Sequence, residues 1–143
     1  MDILNKNAIE ITSLAMDGLS ARHKAIASNI ANANTPNYKK FDVTFENQLK
    51  KILESEKTNE QNKLNNFSNK IESVTPKNNL GYSDFSPKIT ISKDGAITLN
   101  GNNVNIESEM AELAKNGMKY NALAVLQAKA FRGLADVIKG GGM

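Results

Sequence analysis

Apolar and polar positions in the first forty residues recur with helical spacing. Apolar or small residues follow one another at alternating steps of three and four, which keeps one stripe of a helix facing a partner helix. This stripe runs through Ile9, Thr12, Met16, Leu19, His23, Ile26, Ile30 and Ala33. A second face carries small residues, including Ala15, Gly18 and Ala25, that allow another backbone to approach closely. The pattern predicts a helix with neighbours on two sides.

The C-terminal third has the strongest helical periodicity in the chain. Its stripe runs through Met110, Leu113, Gly117, Tyr120, Ala124, Gln127, Phe131, Leu134 and Ile138. Asn105 is placed to cap the start of this helix, and Lys139 followed by Gly140 suits its end. At about 1.5 Å per residue the helix would be roughly 50 Å long, too long for the core of a small compact domain. We therefore expect it to pack against the N-terminal helix and against other chains.

The middle of the chain is polar and rich in asparagine and lysine. Residues 54–76 contain few large apolar side chains, which predicts a flexible or loosely helical segment, and we assign 47–87 to it. The β-prone runs 88–92 and 96–99 flank an Asp-Gly turn, which predicts a small hairpin. Because a lone hairpin is marginal in water, we expect it to dock on the helices or on a neighbouring subunit. The chain thus divides into 1–46, 47–87, 88–104 and 105–143.

The composition of the 143 residues restricts the function classes. The net charge is +3 and the pI about 9.1, but the lysines are spread along the chain, so we expect no nucleic acid partner. There is no cysteine, which excludes disulfides and thiolate metal sites. No apolar run reaches the length of a membrane span, and the N-terminus lacks the pattern of a cleavable signal peptide.

Catalytic chemistry has little support in the sequence. The single histidine, His23, lies on the N-terminal stripe, where a helix-interface role is favoured over that of a general base. Glu107, Glu109 and Glu112 offer paired carboxylates, but their place in the first turns of a helix is explained by the helix dipole. We expect no enzyme activity, no cofactor and no metal site.

A motif at the end of the N-terminal helix resists a purely structural explanation. Residues 28–39 read SNIANANTPNYK, with three asparagines near the helix end. Pro36 disfavours helical backbone at Thr35 and so helps to end the helix. Asparagine side chains there can bond the freed carbonyl groups or reach a partner backbone, which requires a specific interface.

These residues resemble the N-terminal signature of the bacterial flagellar rod, hook and hook-associated protein family, S-N-I-A-N-x-x-T-P-G-Y-K. The departure is Asn37 in place of glycine, and asparagine is the residue that best tolerates positive φ after glycine. The run 101–110, GNNVNIESEM, resembles that of the proximal rod members of the family, with Asn105 where aspartate is usual. The likeness covers roughly residues 10–46 and 95–139.

The resemblance implies that the terminal helices pair as a coiled coil, here expected to be antiparallel. Together with the small β-hairpin and the poorly ordered middle segment inferred above, this predicts a mainly α fold. The resemblance also implies an axial subunit of the proximal rod, a hollow, torque-transmitting shaft, exported without a cleaved signal and located in the periplasmic part of the basal body. The implied partners are other rod proteins, the adaptor between rod and membrane ring, and the export gate. The assembly residues expected on this basis are Ile9, Met16, Leu19, Ile26, Ser28, Asn29, Ile30, Asn32, Asn34, Thr35, Pro36, Tyr38, Met110, Leu113, Tyr120, Phe131 and Leu134.

The sequence leaves a second function open. A helical adaptor or chaperone-like binding module of a secretion system would present the long C-terminal helix to a foreign partner. Such a helix should be formed in the isolated protein, whereas the ends of a rod subunit should order only on assembly. In the assembled state the apolar residues of the two terminal helices are expected to pack on one another.

Overall fold

The terminal helices dominate the fold. A computed structural model describes residues 2–66, 82–92 and 99–140. The described elements are helix α1 (Asp2–Ala31), strand β1 (Phe41–Thr44), helix α2 (Glu46–Asn66), a short 3-10 turn (Tyr82–Asp84), strand β2 (Lys88–Ile91) and helix α3 (Ile106–Gly140). The predicted mainly α fold class is confirmed.

Helices α1 and α3 pack against each other in antiparallel orientation. The Asn29 side chain lies 3.0 Å from the Glu109 carboxylate. Two helical turns further along α3, the Asn116 side chain donates to the carbonyl oxygen of Leu19 at 2.9 Å. Residues of decreasing number on α1 therefore meet residues of increasing number on α3. The start of α3 agrees with the sequence, since the side-chain oxygen of Asn105 accepts from the amide of Ser108 at 3.1 Å and caps the helix.

The hydrophobic core lies where α1 meets β1 and α3. Buried residues of α1, β1 and the residue after β1 form its centre, with partly buried apolar side chains around them. The central residues are Leu19, Ala25, Val43 and Phe45, and the surrounding ones include Ala21, Phe41, Phe85 and Leu123. This cluster fixes the chain after the turn against both terminal helices.

Gly18 on α1 allows the closest approach in this core. A Cβ atom at this position would lie 2.5 Å from ring carbons of Phe45, closer than real Cβ atoms come. The sequence predicted that small residues of α1 allow another backbone to approach closely, whereas at Gly18 the close neighbour is the Phe45 ring.

Replacing Gly18 by alanine should therefore destabilise the protein. The gain in helix propensity is at most about 1 kcal/mol, whereas overpacking a well-filled core costs about 1–3 kcal/mol. Gly133→Ala is the matched control, because a Cβ at Gly133 meets no described atom within 4 Å and should raise stability. Urea unfolding of both variants checks the prediction, and shifts of the same sign would contradict it.

The residues around Phe45 tie the start of α2 to α1. Arg22 donates to the carbonyl oxygen of Val43 at 2.6 Å, pairs with Glu46 at 2.7 Å, and lies 4.7 Å from the centre of the Phe45 ring. Burial alone would raise the pKa of Glu46, but hydrogen bonds from the Phe45 and Glu46 amides and the Arg22 guanidinium hold the pKa below its usual value.

Strands β1 and β2 form an antiparallel pair. Phe41 lies opposite Ile91 and Thr44 opposite Lys88. The strand predicted at 88–92 is therefore present, but among the described residues it pairs with β1, a strand that the sequence reading did not predict. The second predicted hairpin strand, 96–99, lies outside the described residues except for Leu99, which is in a turn. Pairing with β1 is favoured because Val43 points inward and anchors that strand in the core.

Helix α2 occupies part of the segment expected to be flexible or loosely helical. Residues 46–66 form a continuous helix rich in the helix formers glutamate, lysine, glutamine and leucine. An exposed pair of Lys50 and Glu54, one helical turn apart, adds modest support. Ile52 is fully buried and anchors the helix. The rest of the segment, 67–81, lies outside the described residues.

The face that α3 turns toward α1 differs from the predicted stripe. Glu109 and Asn116 are buried on this inner face, whereas Met110 and Phe131, predicted to pack on α1, are 59% and 53% exposed. Of the predicted stripe, Leu113 is half-buried. In the single chain Met110 and Phe131 are exposed because polar residues occupy the inner face, and a stripe chosen by hydrophobicity is rotated away from them. Their packing in the assembled state stays a prediction.

Candidate assembly site: the asparagine network

Three buried asparagines join the turn after α1 to the segment before α3. We refer to Asn29, Asn102 and Asn103 together as the asparagine network. Asn29 and Asn102 are each 1% exposed and Asn103 5% exposed. Burial of amides is costly unless their donors and acceptors are paired. Each member therefore requires partners for its side-chain donor and acceptor atoms.

Asn29 is satisfied by both strand and helix. Its Nδ2 donates to the carbonyl oxygen of Phe41 at 2.9 Å and to Glu109 Oε2 at 3.0 Å. Its Oδ1 accepts from the amide of Phe41 at 2.8 Å and from the Tyr38 hydroxyl at 3.2 Å. The side chain thus imitates a neighbouring strand toward Phe41 and links it to α3. The Ser28 hydroxyl lies 3.3 Å from that of Tyr38.

Asn102 binds the turn after α1 from a distance of some seventy residues along the chain. Its Nδ2 lies 2.9 Å from the carbonyl oxygens of Asn32, Ala33 and Thr35, which follow the end of the helix, and its Oδ1 accepts from the amide of Val104 at 2.7 Å. Asn102 therefore fixes the path of the turn.

Asn103 joins the strand pair to the same segment. Its Oδ1 accepts from the amide of Lys40 at 2.8 Å, and its Nδ2 donates to the carbonyl oxygen of Ser92 at 3.0 Å. The amide of Ser92 in turn donates to the carbonyl oxygen of Lys40 at 2.9 Å. Asn103 therefore extends the β1–β2 pairing by one amide side chain.

Two residues with positive φ complete the junction. Asn37 has φ of 59°, which agrees with the expectation that asparagine replaces glycine at this position of the signature, and its amide donates to the carbonyl oxygen of Asn100 at 2.8 Å. Gly101 has φ of 78°, and a Cβ there would lie 2.5 Å from the Asn37 side-chain oxygen. A side chain at Gly101 would therefore be both strained and in collision.

Two lysines place positive charge beside the network. Lys40 Nζ lies 3.8 Å from Glu109 Oε1, and both side chains are largely shielded from solvent. Lys39 Nζ donates to the carbonyl oxygen of Gly101. The buried Glu109 carboxylate is thus held by an amide donor and an ammonium group, which offset the cost of its burial.

The hydrogen bonds of this arrangement hold backbone segments together. His23 is exposed on α1. Among the described residues, no group of three or more histidine, cysteine, aspartate or glutamate side chains is arranged to hold a metal ion. Within the same residues, no helix has the length and apolar character required to cross a membrane.

The residues predicted from sequence to form the assembly interface differ in exposure. Buried are Leu19, Ile26 and Asn29; half-buried are Ile9, Met16, Ser28, Ile30, Asn32, Tyr38 and Leu113; exposed are Asn34, Thr35, Pro36, Met110, Tyr120 and Phe131. The Leu134 side chain lies outside the described residues. The structure brings Ser28, Asn29, Asn32 and Tyr38 together at the network. Met110 follows Glu109 on α3 but has an exposed side chain, and Phe131 lies more than twenty residues further along the helix.

The sequence reading did not identify the partners of the signature turn. It assigned residues 101–103 to the segment that precedes the C-terminal helix and interpreted Glu109 as a charge that complements the helix dipole. Both statements describe local chemistry, whereas the observed roles depend on contacts across more than sixty residues. The available signal was the presence of two asparagine-rich segments, one at the end of the predicted N-terminal helix and one just before the start of the predicted C-terminal helix.

Two antiparallel terminal helices, joined by a buried polar network and leaving apolar side chains exposed along the longer helix, define a helical structural protein. A model of the family described as flagella basal body rod protein matches residues 7–39, which span most of α1 and the signature turn. The chain is 33% identical over 134 residues to the flagellar basal body rod protein FlgB of Borreliella burgdorferi, covering 94% of this chain and 97% of that protein.

Similar relatives occur in distant bacteria. FlgB of Bacillus subtilis is 34% identical over 130 residues, which is 89% of each chain. FlgB of Aquifex aeolicus is 31% identical over 119 residues, covering 83% of this chain and 82% of that protein. The chain belongs to the FlgB family of flagellar basal body rod proteins.

Proposed function

We propose that this chain is a subunit of the proximal rod that joins its neighbours through the exposed side of α3. Membership of the rod protein family supports a structural component of the flagellar basal body. The proposal adds that the subunit self-assembles and co-assembles with other rod proteins into a hollow shaft that transmits torque. Family membership favours this function over that of a secretion-system adaptor.

The observation that carries the proposal is an apolar face opposite α1. Met110, Met118 and Val125 are 59%, 67% and 57% exposed and recur at steps of eight and seven residues, so they lie on one side of α3. We refer to these three residues as the outer face of α3. The smaller exposed residues Ala114 and Ala128 share this side. Contiguous exposed apolar surface is typical of protein interaction sites.

The length of α3 supports a load-bearing role. Its 35 residues extend over roughly 50 Å at about 1.5 Å per residue. A continuous helix of this length, braced by α1 over the part near the network, can contact several neighbours at once. The remaining interface residues predicted from sequence, including Tyr120, Phe131 and Leu134, are proposed to contribute to the same contacts.

Export and partners follow the same proposal. The chain would travel through the flagellar export gate without a cleaved signal in a largely unfolded form. After export it would fold as a single subunit, and its terminal helices would become further ordered as it joins the rod. The adaptor between the rod and the membrane ring and the other rod proteins would be its neighbours. Its location would be the periplasmic part of the basal body.

A charged residue on the outer face should block assembly and leave the fold intact. Val125→Asp places a carboxylate in a surface that must lose water on assembly, which should weaken association at least about tenfold. The measurement is rod incorporation and swimming in a strain whose own gene is deleted, together with circular dichroism of the purified variant.

The control variant introduces the same negative charge at a site outside α1 and α3. Asn47→Asp adds the same charge at an exposed position in the first turn of α2, where the helix dipole favours it, and should support swimming. Normal rods with Val125→Asp would contradict the proposed interface. Poor swimming with both variants at normal expression would point to a charge effect unrelated to the outer face.

A further inference from the structure

The chain contains two Asn-Gly sequences in contrasting surroundings, Asn100-Gly101 and Asn116-Gly117. An asparagine side chain can be attacked by the amide nitrogen of the next residue, and glycine permits this best because it has no Cβ to obstruct the approach. The reaction depends on the backbone conformation and on how that nitrogen is engaged. The two sites therefore provide a comparison within one molecule.

Asn100 lies in an exposed turn, and both its backbone and its side-chain oxygen accept hydrogen bonds from backbone amides. Its backbone carbonyl, which shares a peptide group with the amide nitrogen of Gly101, accepts from the amide of Asn37 at 2.8 Å. A donor on this carbonyl stabilises negative charge when the Gly101 nitrogen loses its proton. The side-chain Oδ1 accepts from the amide of Asn102 at 3.2 Å, at the oxygen on which charge develops during attack.

Asn116 has the opposite surroundings. It is 4% exposed on the inner face of α3, and its Nδ2 donates to the carbonyl oxygen of Leu19. Gly117 is within the continuous helix α3, where its amide belongs to the helical hydrogen-bond ladder and the backbone is held in helical geometry. The reaction there requires local unfolding of the helix pair.

We propose that Asn100 is a site of spontaneous deamidation built into the turn. The Gly101 amide nitrogen gives its proton to solvent base and attacks Cγ of Asn100, so that a new N–Cγ bond forms. Nδ2 takes up a proton from solvent, the Cγ–Nδ2 bond breaks, and ammonia leaves. Water then opens the five-membered imide to give either aspartate or isoaspartate at position 100. No oxidation change and no enzyme is involved.

The isoaspartate product alters the junction between α1 and α3. It inserts an additional backbone carbon before Gly101 and converts the carbonyl that faces Asn37 into a free carboxylate. The hydrogen bond from the Asn37 amide and the position of Asn102, two residues further on, both depend on the original path. Ageing of the unassembled chain should therefore loosen the asparagine network.

The test is ageing of the purified full-length chain in mildly alkaline buffer, folded or in concentrated urea. Peptide mass spectrometry locates the amide-to-acid conversion, and an isoaspartyl methyltransferase identifies isoaspartate. In the folded chain, position 100 should convert at least about tenfold faster than position 116, because helix opening limits the latter. In urea the two rates should become similar. Conversion of Asn100 in urea but not in the folded chain would overturn the proposal, because the turn would then protect the site.

Two variants separate the chemistry from its consequence. Asn100→Gln retains an amide but would require a six-membered ring, and it should abolish conversion at this position. Asn100→Asp has the charge of the product with a normal backbone. Hydrogen exchange of the Asn37 amide should be faster in aged wild-type protein than in fresh Asn100→Asp. Equal exchange in the two samples would overturn the inferred loosening by the rearranged backbone.

Discussion

Replacing Asn29 by aspartate is expected to cause the largest loss of stability among single isosteric changes at the asparagine network. The change substitutes an oxygen for the Nδ2 that donates to the Phe41 carbonyl and to Glu109. Because Asn29 is only 1% exposed, the new oxygen would be buried. It would face the Phe41 carbonyl and the Glu109 carboxylate with no hydrogen atom between them. Breaking a buried charged interaction in this way costs about 3–5 kcal/mol. Domains of this size are stable by only about 5–15 kcal/mol in total.

Urea unfolding followed by circular dichroism measures the effect at neutral pH. Asn34→Asp is the matched control, because Asn34 lies in the same signature and is exposed. Its midpoint should remain close to that of the parent protein. Equal midpoints for the two variants would show that the contact between Asn29 and Glu109 is not formed in solution.

A second substitution can restore part of the lost stability. Combining Asn29→Asp with Glu109→Gln removes one of the two facing charges and supplies an amide donor from α3. The double variant should therefore be more stable than Asn29→Asp alone, even though Glu109→Gln by itself weakens the contact with Lys40. A simple sum of the two single effects would contradict direct coupling between the side chains.

The sequence was sufficient to predict the features that depend on local chemistry. The two terminal helices follow from hydrophobic spacing, and the start of α3 follows from the capping preference of Asn105. Positive φ at Asn37 follows from the tolerance of asparagine for that region. Each of these predictions involves residues within one or two turns of each other. The fold class was accessible for the same reason.

The inner face of α3 and the pairing of the turn were not accessible in this way. A prediction from hydrophobic periodicity assumes that apolar residues face the partner helix, but Glu109 and Asn116 occupy that face of α3. Glu109 accepts a hydrogen bond from Asn29, and Asn116 donates one to the Leu19 carbonyl. An asparagine at position 102 is equally compatible with an exposed loop and with a buried position that binds the turn after α1, so its residue type alone does not predict its partners. Partners so distant along the chain are determined by the tertiary fold, which a single sequence does not reveal.

Replacing Asn102 by aspartate is expected to cause the second large loss of stability, because it should release the turn after α1. Asn102→Asp would place a carboxylate oxygen where Nδ2 now lies 2.9 Å from three backbone carbonyl oxygens. The loss of stability should be about 3 kcal/mol or more, because a carboxylate at the buried position of Asn102 would face three carbonyl oxygens without a donor between them. The carbonyls of Asn32 and Thr35 would keep their backbone donors, whereas that of Ala33 would lose its donor from Asn102.

Asn105→Asp provides an isosteric control three residues away. Aspartate caps helices as well as asparagine does, so this change at the start of α3 should leave stability nearly unchanged. Urea midpoints compare the two variants, and hydrogen exchange at the amides of Thr35 and Asn37 reports on the turn itself. Asn102→Asp should increase exchange at both amides, whereas Asn105→Asp should not. A lower midpoint for Asn102→Asp without faster exchange in the turn would show that Asn102 acts by general packing, because loss of a side chain that holds the turn must make the turn amides exchange faster.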